Sequence, residues 1–227
     1  CGSGNFLIVS YKNIRQLEIL IWEELRKLGV PELPLSNISL QQFYGIEIDD
    51  FACDTATLSL WLAEHQMNNK FQSVLGVHTE ALPLRPSGHI VCGNACRIDW
   101  NTVCPHTPDE EVYVMGNPPY LGSRLQNKEH KNDIKYLFGT KGKSLDYISC
   151  WFINAQKYIH GTKSNCAFVS TNSICQGEQV ALLWKGILMN SEISFAYSSF
   201  KWMNNAKQNA AVICVIIGLR SPCDKPK

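Results

Sequence analysis

Residues 6–28 place Leu17, Leu20, Ile21, Leu25 and Leu28 at helical spacing, and Gly29 followed by Pro31 supplies a stop, so the pattern predicts a first helix. Residues 43–48 (FYGIEI) are short, aromatic and β-branched and predict a strand. Asp49 and Asp50 then read as a turn and helix cap, before residues 52–62 return to helical spacing. A Pro- and Gly-containing stretch, 82–88, leads into a short strand at 89–92, and residues 111–115 predict another strand that ends at Gly116. A polar, lysine-bearing segment (125–143) separates it from a helix at 146–159, a strand at 166–170 and a helix from about 179 to 188. Strands at 193–197 and 210–219 close the series. Strands alternating with helices over most of the length predict an α/β fold with a mainly parallel sheet covered on both faces. In such folds, ligands sit beyond the carboxyl ends of the strands.

Composition narrows this picture. With 227 residues, 45% hydrophobic and 18% charged, the chain has the length and apolar content to bury a substantial core. Ten cysteines are scattered through apolar runs with no secretory leader, which fits a reduced, intracellular chain better than a disulfide scaffold. The longest apolar stretches, such as 210–219, are about half the ~20 residues that a membrane-spanning helix requires, so no membrane partner is expected. A net charge of +1 is too small for a chain that grips a polyanion over its whole surface. A nucleic-acid substrate would therefore need a further recognition domain. Residues 221–227 read as the start of a linker to one, which leaves 1–220 as the catalytic domain. Because Cys1 falls inside a glycine loop, a first strand is expected upstream.

Candidate chemistry lies in the loops after the strands. Cys1-Gly2-Ser3-Gly4-Asn5-Phe6 stands directly before the first helix, where glycines allow a tight turn and the helix amino terminus offers N–H groups to an anion. An ordinary strand-to-helix turn reads equally well from those residues alone. Glu47, at a strand end, can accept both hydroxyls of a ribose. Asn94, in Gly93-Asn94-Ala95-Cys96, either hydrogen-bonds an adenine ring edge or simply makes a turn, with Asp99 as the nearby alternative.

Gly116-Asn117-Pro118-Pro119-Tyr120 after a strand carries the most weight, since a given tetrapeptide arises by chance in such a chain on the order of once in a thousand. The amine of adenine is a poor nucleophile because its lone pair is delocalised into the ring. Acceptors must draw both N–H bonds toward a tetrahedral arrangement, and the Asn117 side-chain oxygen and the Pro118 carbonyl can do so. Pro118 and Pro119 fix φ and remove competing backbone donors, and Tyr120 offers a ring for the base to stack on.

Cys1 to Leu7 (CGSGNFL), Gly45-Ile46-Glu47-Ile48-Asp49 and Asn117-Pro118-Pro119-Tyr120, in that order, resemble the motifs of amino-group (N6-adenine) DNA methyltransferases. GNPPYLGSRLQ (116–126), LDYISCWF (145–152), VSTNSICQGEQ (169–179) and SFKWMNNAKQNAAV (199–212) resemble the methylase part of single-chain type II, type IIG-like restriction-modification enzymes. The resemblance implies a Rossmann-like S-adenosylmethionine-dependent methyltransferase sheet with helices on both faces, lacking its first strand. It also implies S-adenosylmethionine as cofactor, double-stranded DNA as partner, a flipped target adenine, and target-recognition and possible nuclease domains elsewhere in the full-length chain. Cys1, Gly2, Gly4, Asn5 and Phe6 would hold the methionine end of the cofactor, Glu47 its ribose and Asn94 its adenine. Phe200 would give the base its second aromatic face, with Trp202 a rival for that role.

Cys92, Cys96, Cys104 and His106 match no paired zinc spacing, and Cys92 is expected in a buried strand, so reduced core cysteines are the better reading. Arg124, Lys128, Lys131, Lys135, Lys141 and Lys143 suit either DNA phosphates or a solvated face, with Glu129 and Asp133 interleaved. Three rivals stand beside the main reading. The same Asn-Pro-Pro-Tyr chemistry serves methylation of a guanine amine in RNA or a glutamine amide in protein. A degenerate, non-catalytic DNA-binding remnant is the second, and an NAD-dependent oxidoreductase, which gives the Asn117 loop no task, is the third.

Overall fold

The structure, a computed structural model, describes residues 1–77, 88–201 and 212–223. The chain divides into two compact units, Cys1–Ala95 and Cys96–Lys227.

In the first unit, helix α1 (Asn5–Lys27) precedes strand β1 (Tyr44–Glu47), helix α2 (Asp50–Leu75) and strand β2 (His89–Cys92). β1 and β2 pair in parallel, with Tyr44 opposite His89 and Glu47 opposite Cys92. Asp49 caps α2 as expected, its side chain accepting from the Ala52 N–H at 2.8 Å. That helix runs well past residue 62 because Met67, Phe71 and Leu75 continue the stripe that Ala56, Leu60 and Ala63 begin, and all six are buried.

α1 differs from the sequence reading in its orientation. Its buried residues are Tyr11, Arg15 and Ile19, whereas Leu17, Leu20 and Ile21 are exposed. The helix is apolar on more than one face, so periodicity locates the helix but not its buried side. The inward face is fixed by Arg15, whose guanidinium donates to Glu18 and to Asn68 of α2, each at 2.9 Å, and lies 5.2 Å from the Phe71 ring centre.

The second unit holds a four-stranded sheet in the order β3 (Tyr113–Gly116), β4 (Asn165–Thr171), β6 (Ile213–Arg220), β5 (Glu192–Lys201). Its helices are α3 (Trp100–Val103), α4 (Lys128–Phe138), α5 (Ser149–Ile159) and α6 (Lys185–Ile187). α5 packs on the central strands through Phe152, whose ring meets Phe168 edge-on at 5.4 Å and Trp184 at 5.3 Å.

Three expectations change here. α4 occupies the middle of the segment read only as polar. The expected helix at 179–188 is a wide π-type turn, Val180–Trp184, that runs into the short α6. The sheet is also mixed rather than mainly parallel: β3 pairs with β4 in parallel, but β6 is antiparallel to both β4 and β5. A parallel return needs a crossover of about a dozen residues or more, usually helical, whereas an antiparallel one needs none, and the eleven residues between Lys201 and Ile213 stand at the lower limit for a crossover.

Register sets the location of the candidate residues. Gly116 pairs with Phe168, Thr171 with Cys214, and Cys214 with Phe200. The loop after β3, the end of β4, the start of β6 and the end of β5 therefore share one end of the sheet.

Candidate active site

The predicted cofactor residues all lie in the first unit, and its backbone brings most of them together. Gly2 and Gly4 have φ of 58° and 84°, in the left-handed region that glycine adopts without strain. A Cβ on Gly4 would also stand 3.2 Å from the Ala56 Cβ in α2. Gly45 is required for a different reason: a Cβ there would meet the Cys1 sulfur and Ile90 at 2.9 Å, so its bare backbone lets the loop lie across β1. Asn5 and Phe6 open α1. This helix has no side-chain cap at Gly4 and no acidic residue in its first turn, leaving its positive end without an internal countercharge.

Glu47 ties the glycine loop to the end of β1. Its Oε2 accepts from the Cys1 amino group at 2.9 Å and the Gly2 N–H at 2.5 Å, while Oε1 accepts from Ile48 and Asp49 N–H groups. Burial pushes its pKa up, but the bonds it accepts from the glycine loop and the Asp49 amide outweigh burial and hold it below the ordinary carboxylate range. Asn94 is half-buried in the turn two residues beyond Cys92, the register partner of Glu47.

The second unit carries the other set. Asn117 and Pro119 are exposed, Pro118 is buried, and Tyr120 is half-buried against the core. Burial and then the Cys214 thiol raise the pKa of the Tyr120 hydroxyl, and the Asn117 side chain acts in the opposite direction. Phe200 is half-buried opposite Cys214, just past an irregularity in the β5–β6 register after Tyr197. A break in the ladder changes the direction of the side chains that follow it. Trp202, the rival for the stacking role, lies outside the described residues.

Sequence reasoning missed how the loop is held. The Leu121 N–H donates to Asp146 Oδ1 at 2.9 Å, and its carbonyl accepts from Gln126 Nε2 at 2.8 Å and the Tyr147 N–H at 3.0 Å. Gln179 in turn accepts from the Asp146 N–H at 3.1 Å and donates to the Ser144 carbonyl at 2.6 Å. A usable signal was present: Asp146 is a lone charge between Leu145, Tyr147 and Ile148, and a charge inside an apolar run is rarely idle.

Two discounted features look different in three dimensions. Cys92 is exposed at the end of β2 rather than buried, because a two-stranded sheet leaves its strand ends uncovered. Among the described residues, no group of three or more His, Cys, Asp or Glu could hold a metal. Asp133, read as interleaved with the lysines, is buried and accepts from Arg97 Nε at 2.6 Å and from the Tyr147 hydroxyl at 2.8 Å. Lys128, Lys131 and Lys135 of α4 are exposed without it.

A sequence profile of the family described as MmeI, DNA-methyltransferase domain, matches residues 1–227. The chain belongs to the MmeI DNA-methyltransferase domain family. It is 55% identical over 222 residues to DNA methyltransferase A of Bacillus subtilis (strain 168), which covers 96% of this chain and 25% of that protein. A shorter stretch of 62 residues is 40% identical to a putative type II restriction enzyme and methyltransferase of Methanocaldococcus jannaschii, covering 27% of this chain and 5% of that protein. Among solved structures, the Type IIL restriction-modification enzyme MmeI in complex with DNA superposes with a TM-score of 0.85 at 41% identity, over 96% of this chain and 30% of that one. The MmeI-type domain described here thus spans about a quarter of the length of DNA methyltransferase A. Its mixed α/β architecture, with sheets flanked by helices, is the Rossmann-like methyltransferase fold.

Proposed function

We propose that this domain transfers the methyl group of S-adenosylmethionine to the N6 amine of an adenine flipped out of double-stranded DNA, as the methylase part of a restriction-modification enzyme. The observation that carries the reading is the exposed Asn117 on a turn closed by two prolines at the end of a strand, with Tyr120 beside it. An amide oxygen and the Pro118 carbonyl accept the two N–H bonds of the amine, which localises the nitrogen lone pair for attack. Because neither proline carries an N–H, no backbone donor at these positions competes for the acceptors.

Two features of the first unit support the cofactor: the uncapped start of α1, without acidic residues, suits the carboxylate of a methionine moiety, and Glu47 at the end of β1 would take a ribose in exchange for its bonds to the glycine loop. Gly2, Gly4, Asn5 and Phe6 would hold the first, Glu47 the second and Asn94 the adenine. When bound, the cofactor supplies a methyl group already activated by its sulfonium. The protein's share is to hold the amine in line, with Tyr120 and Phe200 stacking on the base and offsetting the few kcal/mol that unstacking it costs. Lys128, Lys131 and Lys135, on one face of α4, suit the flanking phosphates. A target-recognition part would belong to the remainder of a longer chain.

The test offers methyl-radiolabelled cofactor and the full-length protein with DNA, RNA or release-factor protein, then separates the nucleosides and peptides. Label in N6-methyldeoxyadenosine is expected. Label in an RNA guanine or a protein glutamine, or none in DNA, would overturn the proposal.

A further inference from the structure

The turn from Asn117 to Tyr120 has little means of holding itself. Pro118 and Pro119 carry no N–H, so between Asn117 and Leu121 only Tyr120 has a backbone donor to spend on a fixed geometry. Leu121 is the next residue, and its two flanking peptide planes are both tied down. The plane shared with Tyr120 donates its N–H to Asp146 Oδ1 at 2.9 Å; the plane shared with Gly122 accepts from Gln126 Nε2 at 2.8 Å and Tyr147 N–H at 3.0 Å.

The tether is itself rigid. Asp146 and Gln126 are 5% and 6% exposed, and Asp146 Oδ1 also accepts from the Ile148 N–H at 3.3 Å, so one carboxylate joins the turn to the start of α5. Ser173 Oγ reaches Asp146 Oδ2 at 3.4 Å, and Gln179 grips the Asp146 backbone.

We propose that Asp146 is a positioning residue of the methyl-transfer loop: its carboxylate oxygen fixes the Tyr120–Leu121 peptide and thereby the aim of Asn117 and the tilt of the Tyr120 ring. Gln126 and Gln179 complete the clamp. This rests on the reading of Asn117 as the acceptor of the target amine. What the clamp needs is an acceptor at Oδ1, not a charge, and burial already opposes the charge by raising the carboxyl pKa. Asn at 146 can keep both amide bonds through its own oxygen and meet Ser173 with its amino group.

The experiment uses the full-length protein and measures turnover, KM for DNA, cofactor dissociation constant and thermal midpoint for wild type, Asp146→Asn, Asp146→Ala and Gln126→Met. Misplacing a reacting group by about 1 Å can reduce the rate about 100-fold. Asp146→Ala is therefore expected to lose about 100-fold in kcat with cofactor affinity unchanged, Gln126→Met roughly 10-fold, and Asp146→Asn to stay within about threefold of wild type. Two results would overturn the clamp: Asp146→Ala turning over like wild type, or Asn failing to rescue, with loss of turnover and cofactor affinity tracking the loss of thermal stability. If Asp146→Ala does not fold, Gln126→Met and Asp146→Asn still decide it, because equal kcat in Gln126→Met and wild type sinks the proposal. Failure of the underlying reading is separately visible, since then the wild type itself places no label in DNA.

Discussion

Cys214 of β6 stands in register with Phe200 on the neighbouring strand, and its thiol also raises the pKa of the Tyr120 hydroxyl. One position of β6 thus links the two aromatic residues proposed to enclose the target base. If both rings stack, Tyr120→Ala and Phe200→Ala should each weaken binding of DNA with an extruded base by about 1–3 kcal/mol, whereas Tyr120→Phe, which keeps the ring, should lose much less. Equilibrium titration with duplexes carrying a mismatched target measures this. Equal losses for Phe and Ala at position 120 would argue for the hydroxyl instead of the ring.

Asn117 is exposed, and its substitution should leave the core intact. Asn117→Ala is expected to lower kcat by about 100-fold to 1,000-fold, as for removal of a preorganised polar group from a transition state, with cofactor affinity within about threefold of wild type. Single-turnover transfer and a cofactor titration separate the two. Parallel loss of both would make the loop structural.

Gly4 combines a left-handed backbone with contact to Ala56. Gly4→Ala should destabilise the protein by about 1–2 kcal/mol from the backbone alone and weaken cofactor binding, because α2 would have to withdraw from the loop. Denaturant unfolding and cofactor titration are the measurements. Gly2→Ala has the same backbone strain but open space around its Cβ, so it should affect stability less.

Glu47 makes a pH prediction. The amides of the glycine loop and Asp49 hold its folded-state pKa below the ordinary 4.5, so folding favours the ionised form. That stabilisation is present above pH 4.5 and is lost as pH falls from there through the lowered folded-state value. The thermal midpoint of wild type relative to Glu47→Gln should therefore decline across that window, modestly, because the group is partly solvated. A constant difference would mean that the carboxylate is not stabilised by the glycine loop.

For the lysines of α4, the expectation concerns salt. Replacing Lys128, Lys131 and Lys135 together by Ala should weaken DNA binding without regard to sequence and reduce the slope of log K against log salt by about 3, roughly one per phosphate contact. An unchanged slope would assign them to a solvated face.

Much of this was legible in the chain because strand ends and loops announce themselves locally. β1, β2 and β3 fell within a residue or two of expectation, and Asp49 caps α2 through the bond its type favours. What sequence could not supply depended on partners far along the chain. The inward face of α1 is chosen by Arg15 reaching Asn68, not by the stripe through Leu17 and Ile21. The direction of β6 depends on how the chain returns after β5. The tethers on Leu121 come from residues 126, 146 and 147, each unremarkable alone, and only their convergence on one peptide reveals a task.

The paired prolines also decide what can be seen of the loop in solution. Amide hydrogen exchange has no probe at positions 118 and 119, so the protection of the Leu121 amide, bonded to Asp146, becomes the readout of how often the whole turn opens. Slow exchange there would mark a turn held shaped before any base arrives, and its acceleration on release of the Asp146 contact would time the opening directly.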